Sequence, residues 1–365
     1  MATFERAKVK RILGRRKGLS KAVLELAGKE TPAINYDDLT GEIKPGDEVI
    51  VNTTAVELSL GSGGFHIVHW NLTRDSLSIE SPGHILKLRY TPLQFNCLSV
   101  EEKASGFKEK LDGFSDLDGM PVIVGTLHSQ LAPAAAVVKK LTGGKARVAH
   151  LMTDRAALAL SLSDTVAELK KKKIVDATIT IGQAFGGDYE AVNIYSGLAA
   201  AKAICQADVT IVTMGIGVVG TETYLGFSGI EQGEIVNAVH VLKGRPIAIP
   251  RISFKDPRPR HQVVSEQTLA SLGLAALVSC DVPIPQMEKD KLRRVLEKLS
   301  DVGITTRHRV KIVADDGTLE ALEEFGLEPT TMGRIVAEEP EFFRAAGAAG
   351  YLAVQMLEER YKKST

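Results

Sequence analysis

The sequence predicts an α/β protein: a β-rich, barrel-like domain over residues 1–110, followed by a Rossmann-like three-layer domain with a mostly parallel sheet over residues 118–365. Three observations predict it. Short apolar runs punctuated by Gly, Pro, Asn and Asp clusters fill the chain up to about residue 110, the pattern of closely spaced strands in a curled or closed sheet. A charged stretch, Glu101 to Asp118, then interrupts the pattern. From Met120 onward, near-continuous apolar runs alternate with helical segments, as strands buried on both faces require.

In the first part the expected strands are Ala22 to Leu26, Pro32 to Tyr36, Asp47 to Asn52, Phe65 to Trp70, His84 to Tyr90 and Gln94 to Val100. Turn residues such as Lys44-Pro45-Gly46-Asp47 and Gly61-Ser62-Gly63-Gly64 separate them. Arg6 to Lys21 carries Arg6, Lys8, Lys10, Arg11, Arg15, Arg16, Lys17 and Lys21 with no acid between them. It reads as a solvated first hairpin turning near Gly14 and Gly18, the competing reading being a nucleic-acid contact that lacks stacking aromatics.

In the second part the expected strands are Pro121 to Gly125, Ala146 to Met152, Ala177 to Ile181, Val209 to Thr213 and Arg245 to Ile249. Asp164 to Lys173 reads as a helix with an acid at its start and lysines at its end, matching the helix dipole. Further helices are expected over Glu190 to Ala207, Gln286 to Leu299 and Glu341 to Tyr361. Leu158, Leu160 and Leu162 alternate with period two, so Ala146 to Leu162 also fits a hairpin.

With 365 residues, 44% hydrophobic and 25% charged, the chain is large enough for two cores. Lysine plus arginine equal aspartate plus glutamate at 45 each, so no global field favours nucleic acid or an anionic membrane. Cys97, Cys205 and Cys280 lie far apart without metal-ligand spacing and read as buried thiols of a reducing compartment. No window approaches the roughly twenty apolar residues of a membrane span. The expectation is a cytoplasmic protein that does not enter a membrane.

The strongest chemical signal is Thr213-Met214-Gly215-Ile216-Gly217-Val218-Val219-Gly220-Thr221, a glycine-rich loop directly after an apolar strand, where α/β sheets bind ligands. Gly215, Gly217 and Gly220 have GxGxxG spacing, but Ser228 and Glu231 look like a capping box that starts the helix only near Gly229, which disfavours a dinucleotide site. The second signal is Arg251 to His261, a proline-stiffened basic loop leaving another strand end, with Arg251 the expected partner of a carboxylate or phosphate. Other strand ends offer His128-Ser129, Asp154-Arg155, where Asp154 also fits a turn, and Gly186-Gly187-Asp188; His128 and Asp188 are the acid or base candidates, and Ser129 a ligand contact or a helix cap. His66 and His69 fall on opposite faces of a strand and cannot share an ion. No metal is expected, and no motif names a cofactor.

Gly125-Thr126-Leu127-His128-Ser129-Gln130-Leu131-Ala132-Pro133, Phe185-Gly186-Gly187-Asp188, Gly215 to Thr221 with Phe227-Ser228-Gly229, and Pro250-Arg251-Ile252-Ser253-Phe254 together resemble an uncharacterised bacterial family catalogued as a domain of unknown function. The resemblance implies a soluble bacterial protein and carries no activity, cofactor or catalytic residue. Where its relatives often show paired histidines, this chain has Ser265-Glu266-Gln267-Thr268. The expected function is that of a small-molecule enzyme or ligand-binding protein for an anionic metabolite at the strand C-terminal ends. The alternative is a homo-oligomeric binding or regulatory module touching nucleic acid through its basic N-terminus.

Overall fold

The computed structural model describes residues 2–61 and 63–364, and the chain divides into two compact units, Met1–Leu98 and Ser99–Thr365. The first is a closed barrel of β1 (Phe4–Arg16), β2 (Leu19–Leu26), β3 (Lys29–Asn35), β4 (Glu48–Asn52) and β5 (His66–Asn71) in the order β1-β2-β3-β5-β4. All neighbours are antiparallel except β3 and β5, and β1 closes on β4, the arrangement of an OB-type barrel. Its interior is narrow, so the alternate residues that face it are small or β-branched: Ala7, Val9, Ala22, Ala33, Val49, Val51 and Val68. The basic N-terminal run is indeed a hairpin, turning at Gly18 with φ 75°, while Gly14 lies within β1 beside a register shift.

The second unit is built on one parallel sheet of eight strands: β6 (Pro121–Val124), β7 (Val148–Thr153), β8 (Ala177–Ile181), β9 (Tyr189–Ala191), β10 (Val209–Met214), β11 (Arg245–Ala248), β12 (Asp281–Pro285) and β13 (Arg309–Val313). The spatial order is β9-β8-β7-β10-β6-β11-β12-β13. Helices α1 (Leu131–Leu141), α2 (Asp164–Lys171), α3 (Ile194–Ala203), α4 (Glu231–Val241), α5 (Glu266–Ala270), α6 (Lys289–Asp301), α7 (Thr318–Glu324) and α8 (Pro340–Ser364) flank it. Every residue of β6, β7, β8, β10 and β12 is buried, which is why the first four read as largely apolar runs, whereas β12 opens on Asp281 and carries two prolines. The unit is therefore a Rossmann-like α/β layer structure.

Strand order fixes where ligands can reach the sheet. From β7 the chain moves toward β8 and β9, whereas from its neighbour β10 it moves the other way to β11. The adjacent pair β6 and β11 diverges in the same manner. Each divergence opens a crevice beyond the strand carboxyl ends, so the crest of this sheet has two switch points, β7/β10 and β6/β11.

Several expectations shift. Residues 99–118 fall in the second unit, where Val100 N donates to Glu190 O and Leu117 N to Leu242 O, each at 2.8 Å. Glu190 lies in the short strand β9 rather than in a helix; Asn193 caps α3, accepting from Tyr195 N and Ser196 N. After β7 the chain bends into a 3-10 turn at Leu160–Leu162 and forms no hairpin. The alternating leucines there make only an isolated parallel bridge, Ala159 with Phe185, before the turn.

Candidate functional site

Consecutive residues of α4 serve the two crevices. Gln232 is fully buried and bridges β6/β11, its Nε2 donating to Val124 O at 2.8 Å and to Ile249 O at 2.9 Å. Glu231, 5% exposed, turns to β7/β10, where Oε1 accepts from Thr153 Oγ1 at 2.6 Å and Oε2 stands 3.7 Å from Arg155 Nε. Burial pushes the Glu231 carboxyl up to about 7; Thr153 and Arg155 oppose the shift, and Asp154 and Glu234 add to it. A carboxyl that changes charge near neutral pH at a ligand crevice is suited to proton transfer.

The glycine-rich segment is not the start of a helix. It forms a hairpin-like projection in which Gly220 bridges Phe227, Thr221 N donates to Gly226 O and Ser228 N to Val219 O, both at 2.8 Å. A 3-10 turn, Ser228–Ile230, follows, and α4 opens only at Glu231, so the loop amides are not gathered at a helix N-terminus as a dinucleotide pyrophosphate requires. The glycines serve close packing. A Cβ at Gly215 would meet Ala157 O at 2.2 Å, Gly217 holds φ 87°, and a Cβ at Gly220 would stand 3.1 Å from Gln267 Nε2.

Between this projection and the start of α5 lies a narrow cleft with an enclosed space of only about 10 Å³. That is room for about one water, so the cleft marks where side chains converge and does not itself enclose a metabolite. Thr221, Thr223, Tyr224 and Phe227 form one wall; Arg260, His261 and Gln267 form the other, with Glu222 and Glu266 also lining it. The helix behind it passes from α5 into a π-helical turn, Ser271–Ala275, a distortion frequent at functional sites. Thus the glycine loop and the basic loop converge on one cleft.

Arg251 does not reach into it. The residue is 3% exposed; Nη2 donates to Asp256 Oδ2 at 3.1 Å and Nη1 to Gln267 Oε1 at 3.2 Å. Asp256 also meets Arg258 at 2.9 Å and Arg334 at 3.3 Å. Burial alone would raise its carboxyl, but the hydrogen bonds from Arg258 and the nearby guanidinium of Arg251 outweigh burial and hold it low. Arg251 is therefore matched by an acid five residues along its own loop, and its contact with Gln267 orients that side chain at the cleft. The cation that lines the cleft is Arg260, which pairs with no carboxylate among the described residues and donates through Nε to His261 Nε2 at 3.3 Å. Burial and the positive charges of Arg251 and Arg258 push His261 down to about 3, so it stays neutral, with Nδ1–H donating to Ser265 Oγ at 2.7 Å.

The remaining sequence candidates separate. His128 is buried beyond β6; its Nδ1–H donates to Met214 O at 3.1 Å, and Nε2 accepts from Ser163 Oγ at 2.6 Å. Burial lowers its pKa, so the neutral ring acts as a clamp between β10 and the cap of α2. Ser129 turns away to Thr331 Oγ1 at 3.3 Å and caps no helix. Asp188 accepts from Thr178 N at 2.9 Å and Thr178 Oγ1 at 3.0 Å and pairs with Lys170. Because Thr178 is the second residue of β8, Asp188 sits toward the N-terminal ends of the strands, across the sheet from His128. The structure does not bring these two together.

In the barrel, at least four of the eight basic residues face carboxylates: Arg6 with Glu48, Lys10 with Glu25, Arg11 with Glu30 and Arg15 with Glu42. Val23 and Ile34, which alternate outward on β2 and β3, are only 7% and 4% exposed. His66 is buried while His69 packs edge-on against Phe4 at 5.0 Å, so the two do not converge. Among the described residues no group of three or more His, Cys, Asp or Glu stands close enough to hold a metal, and no helix is long and apolar enough to cross a membrane.

Three of the four segments that carry the family resemblance follow strand ends at the crest, while Phe185 to Asp188 turns back toward the other end of the sheet; a family profile matches residues 32–350, spanning most of both units. The chain belongs to the family described as "Protein of unknown function (DUF3866)". No curated protein matches it. The family description assigns no chemistry, so the site rests on geometry. Geometry adds Glu231, Gln232, Thr153 and Gln267 to Arg155 and Arg260, which the sequence already placed at a strand end and in the basic loop. In the sequence, Glu231 looked like half of a capping box; the readable signal was an acid at the first helix turn after a glycine loop, a position that also serves ordinary helix capping.

Proposed function

We propose that the second unit binds a small anionic metabolite at the crest of its parallel sheet, between the glycine-rich projection and the start of α5, as an enzyme or ligand-binding protein. The observation that carries this reading is convergence: Thr221 and Thr223 on one side and Arg260 and Gln267 on the other line a single cleft beyond the β6/β11 switch point, and Gly220 stands next to Gln267. Arg260 supplies the countercharge, Gln267 the amide, and Thr221 with Thr223 hydroxyls. Glu222 and Glu266 oppose a ligand that is anionic throughout, which favours one carboxylate or phosphate on an otherwise neutral or hydroxylated body. Buried free thiols at Cys97, Cys205 and Cys280 support a reducing, cytoplasmic setting in a bacterial cell.

The test is a thermal-shift screen of small carboxylates and phosphate monoesters, followed by Arg260→Met and Arg260→Lys. A ligand held by Arg260 loses about 1.5–3 kcal/mol in the methionine variant and recovers part of it with lysine, which keeps charge without the planar fork. Equal affinity in all three proteins overturns the reading. The alternative, a homo-oligomeric module contacting nucleic acid, is favoured by the OB-type topology of the barrel and by Val241, Leu274 and Leu277, exposed at 66%, 53% and 79%. Paired charges on β1 weigh against its nucleic-acid half, and salt-sensitive oligonucleotide binding without any metabolite shift is the result that would select it.

A further inference from the structure

We propose that Arg155 and Glu231 form a second anion site at the β7/β10 crevice, in which a carboxylate or phosphate group pairs with the Arg155 guanidinium while Glu231 takes up one proton from solvent. This site lies at the other switch point and does not depend on the cleft.

Arg155 is loosely held. Its closest carboxylate contacts among the described residues are 3.4 Å to Glu234 and 3.7 Å to Glu231, longer than the 2.7–2.9 Å of a formed charge-assisted bond. Its side chain is 54% exposed, whereas that of Glu231 is 6% exposed, so a solvent-facing cation stands over a buried acid. Thr153, the last residue of β7, fixes one Glu231 oxygen at 2.6 Å and leaves the other facing Arg155. Asp154 faces the same carboxyl from the β7 loop, with its own oxygen accepting from Gln183 N at 2.9 Å, and Glu234 faces it from α4.

An anion that pairs with Arg155 removes the countercharge these acids share. Exposed Glu234 remains solvated as a carboxylate. Glu231 is desolvated and next to Asp154, so it is the acid that cannot stay charged. It gains a proton, which offsets one negative charge of the ligand, so a carboxylate leaves the net charge of the site unchanged and a dianion such as sulfate lowers it by one. Binding and protonation are then reciprocal: the anion raises the proton affinity of Glu231, and the proton raises anion affinity by the same factor. Above the ionisation midpoint of Glu231, affinity falls up to about tenfold per pH unit.

Sulfate is the probe, because it does not titrate in this range, with sodium chloride at matched ionic strength as the reference. The full chain is followed by thermal shift against sulfate concentration at pH 6, 7 and 8, and proton uptake is read by calorimetry in two buffers of different ionisation enthalpy. The wild-type protein is expected to bind sulfate about fivefold more weakly at pH 8 than at pH 7, with proton uptake. Glu231→Gln should bind with no pH dependence, Arg155→Met should lose binding beyond the salt reference, and Gly220→Val should behave as wild type because it touches only the cleft. Sulfate stabilisation equal in wild type and Arg155→Met, pH dependence surviving in Glu231→Gln, or no effect of sulfate on the wild type overturns the proposal. Loss in Gly220→Val with retention in Arg155→Met would assign the anion to the cleft instead.

Discussion

Replacing Glu231 with glutamine should flatten the pH dependence of stability in the second unit. Burial lifts this carboxyl from an ordinary 4.5 to about 7, a difference of about 2.5 units. At about 1.36 kcal/mol per unit, that is about 3 kcal/mol between the two protonation states. The folded pKa lies above the unfolded one, so the folded state binds the proton more tightly. The stabilisation is fully present below about pH 4.5 and is lost as pH rises through about 7. Glutamine stays neutral throughout, keeps an oxygen to accept from Thr153, and leaves exposed Arg155 in water, so its curve should lack that loss. Urea unfolding followed by far-UV circular dichroism reports the second unit, which contains the long helices, whereas fluorescence of the single tryptophan, Trp70, reports the barrel. Wild type and variant should converge near pH 5, and the variant should be more stable by about 2–3 kcal/mol near pH 8. Parallel curves across that range would refute the argument that burial governs this carboxyl.

Arg251→Met should lower the melting temperature without any ligand, because it strips one of three guanidiniums from a buried carboxylate. Removing one partner of a buried pair costs about 3–5 kcal/mol, reduced here by Arg258 and Arg334, and differential scanning calorimetry measures it. Gly215→Ala should cost more than Gly217→Ala in chemical denaturation: the first drives a Cβ into Ala157 O at 2.2 Å, while the second meets no atom within 4 Å and carries only the penalty of φ 87°, about 1 kcal/mol. Asp188→Asn should destabilise modestly by loosening Lys170, and should leave binding of any crest ligand unchanged in the thermal-shift assay, since Asp188 lies toward the far ends of the strands.

The two-part architecture was legible because burial on both faces writes itself into strands such as Val209 to Met214, and the crest was legible because glycines and arginines followed strand ends. The convergence of Gly220 with Gln267 needed the order β6-β11 and the turn into α5, which no local pattern encodes. Arg251 was read as a ligand contact because its partner, Asp256, looked like one more loop residue; only folding shows the acid fully buried among three arginines. Two strands escaped notice for opposite reasons. β12 carries Pro283 and Pro285, and it tolerates them because β11 pairs with it only at Asp281. β13 is an edge strand, and its charged Arg309 and Lys311 read as surface. Asp188 drew attention from its strand-end position, but its loop doubles back, and the register of β9 on β8 places it at the opposite end.

The most direct test of the crest as ligand site compares wild type with Gly220→Val. Gly220 has no positive φ to strain, and a side chain there advances on Gln267, which lines the cleft. In a thermal-shift screen of small carboxylates and phosphate monoesters, at least one compound should stabilise the wild type by about 2.7 kcal/mol at a hundred times its Kd. The valine variant should melt at the wild-type temperature without ligand and show no shift with that compound. Equal shifts in both proteins, or no shift with any compound in the wild type, would contradict the account.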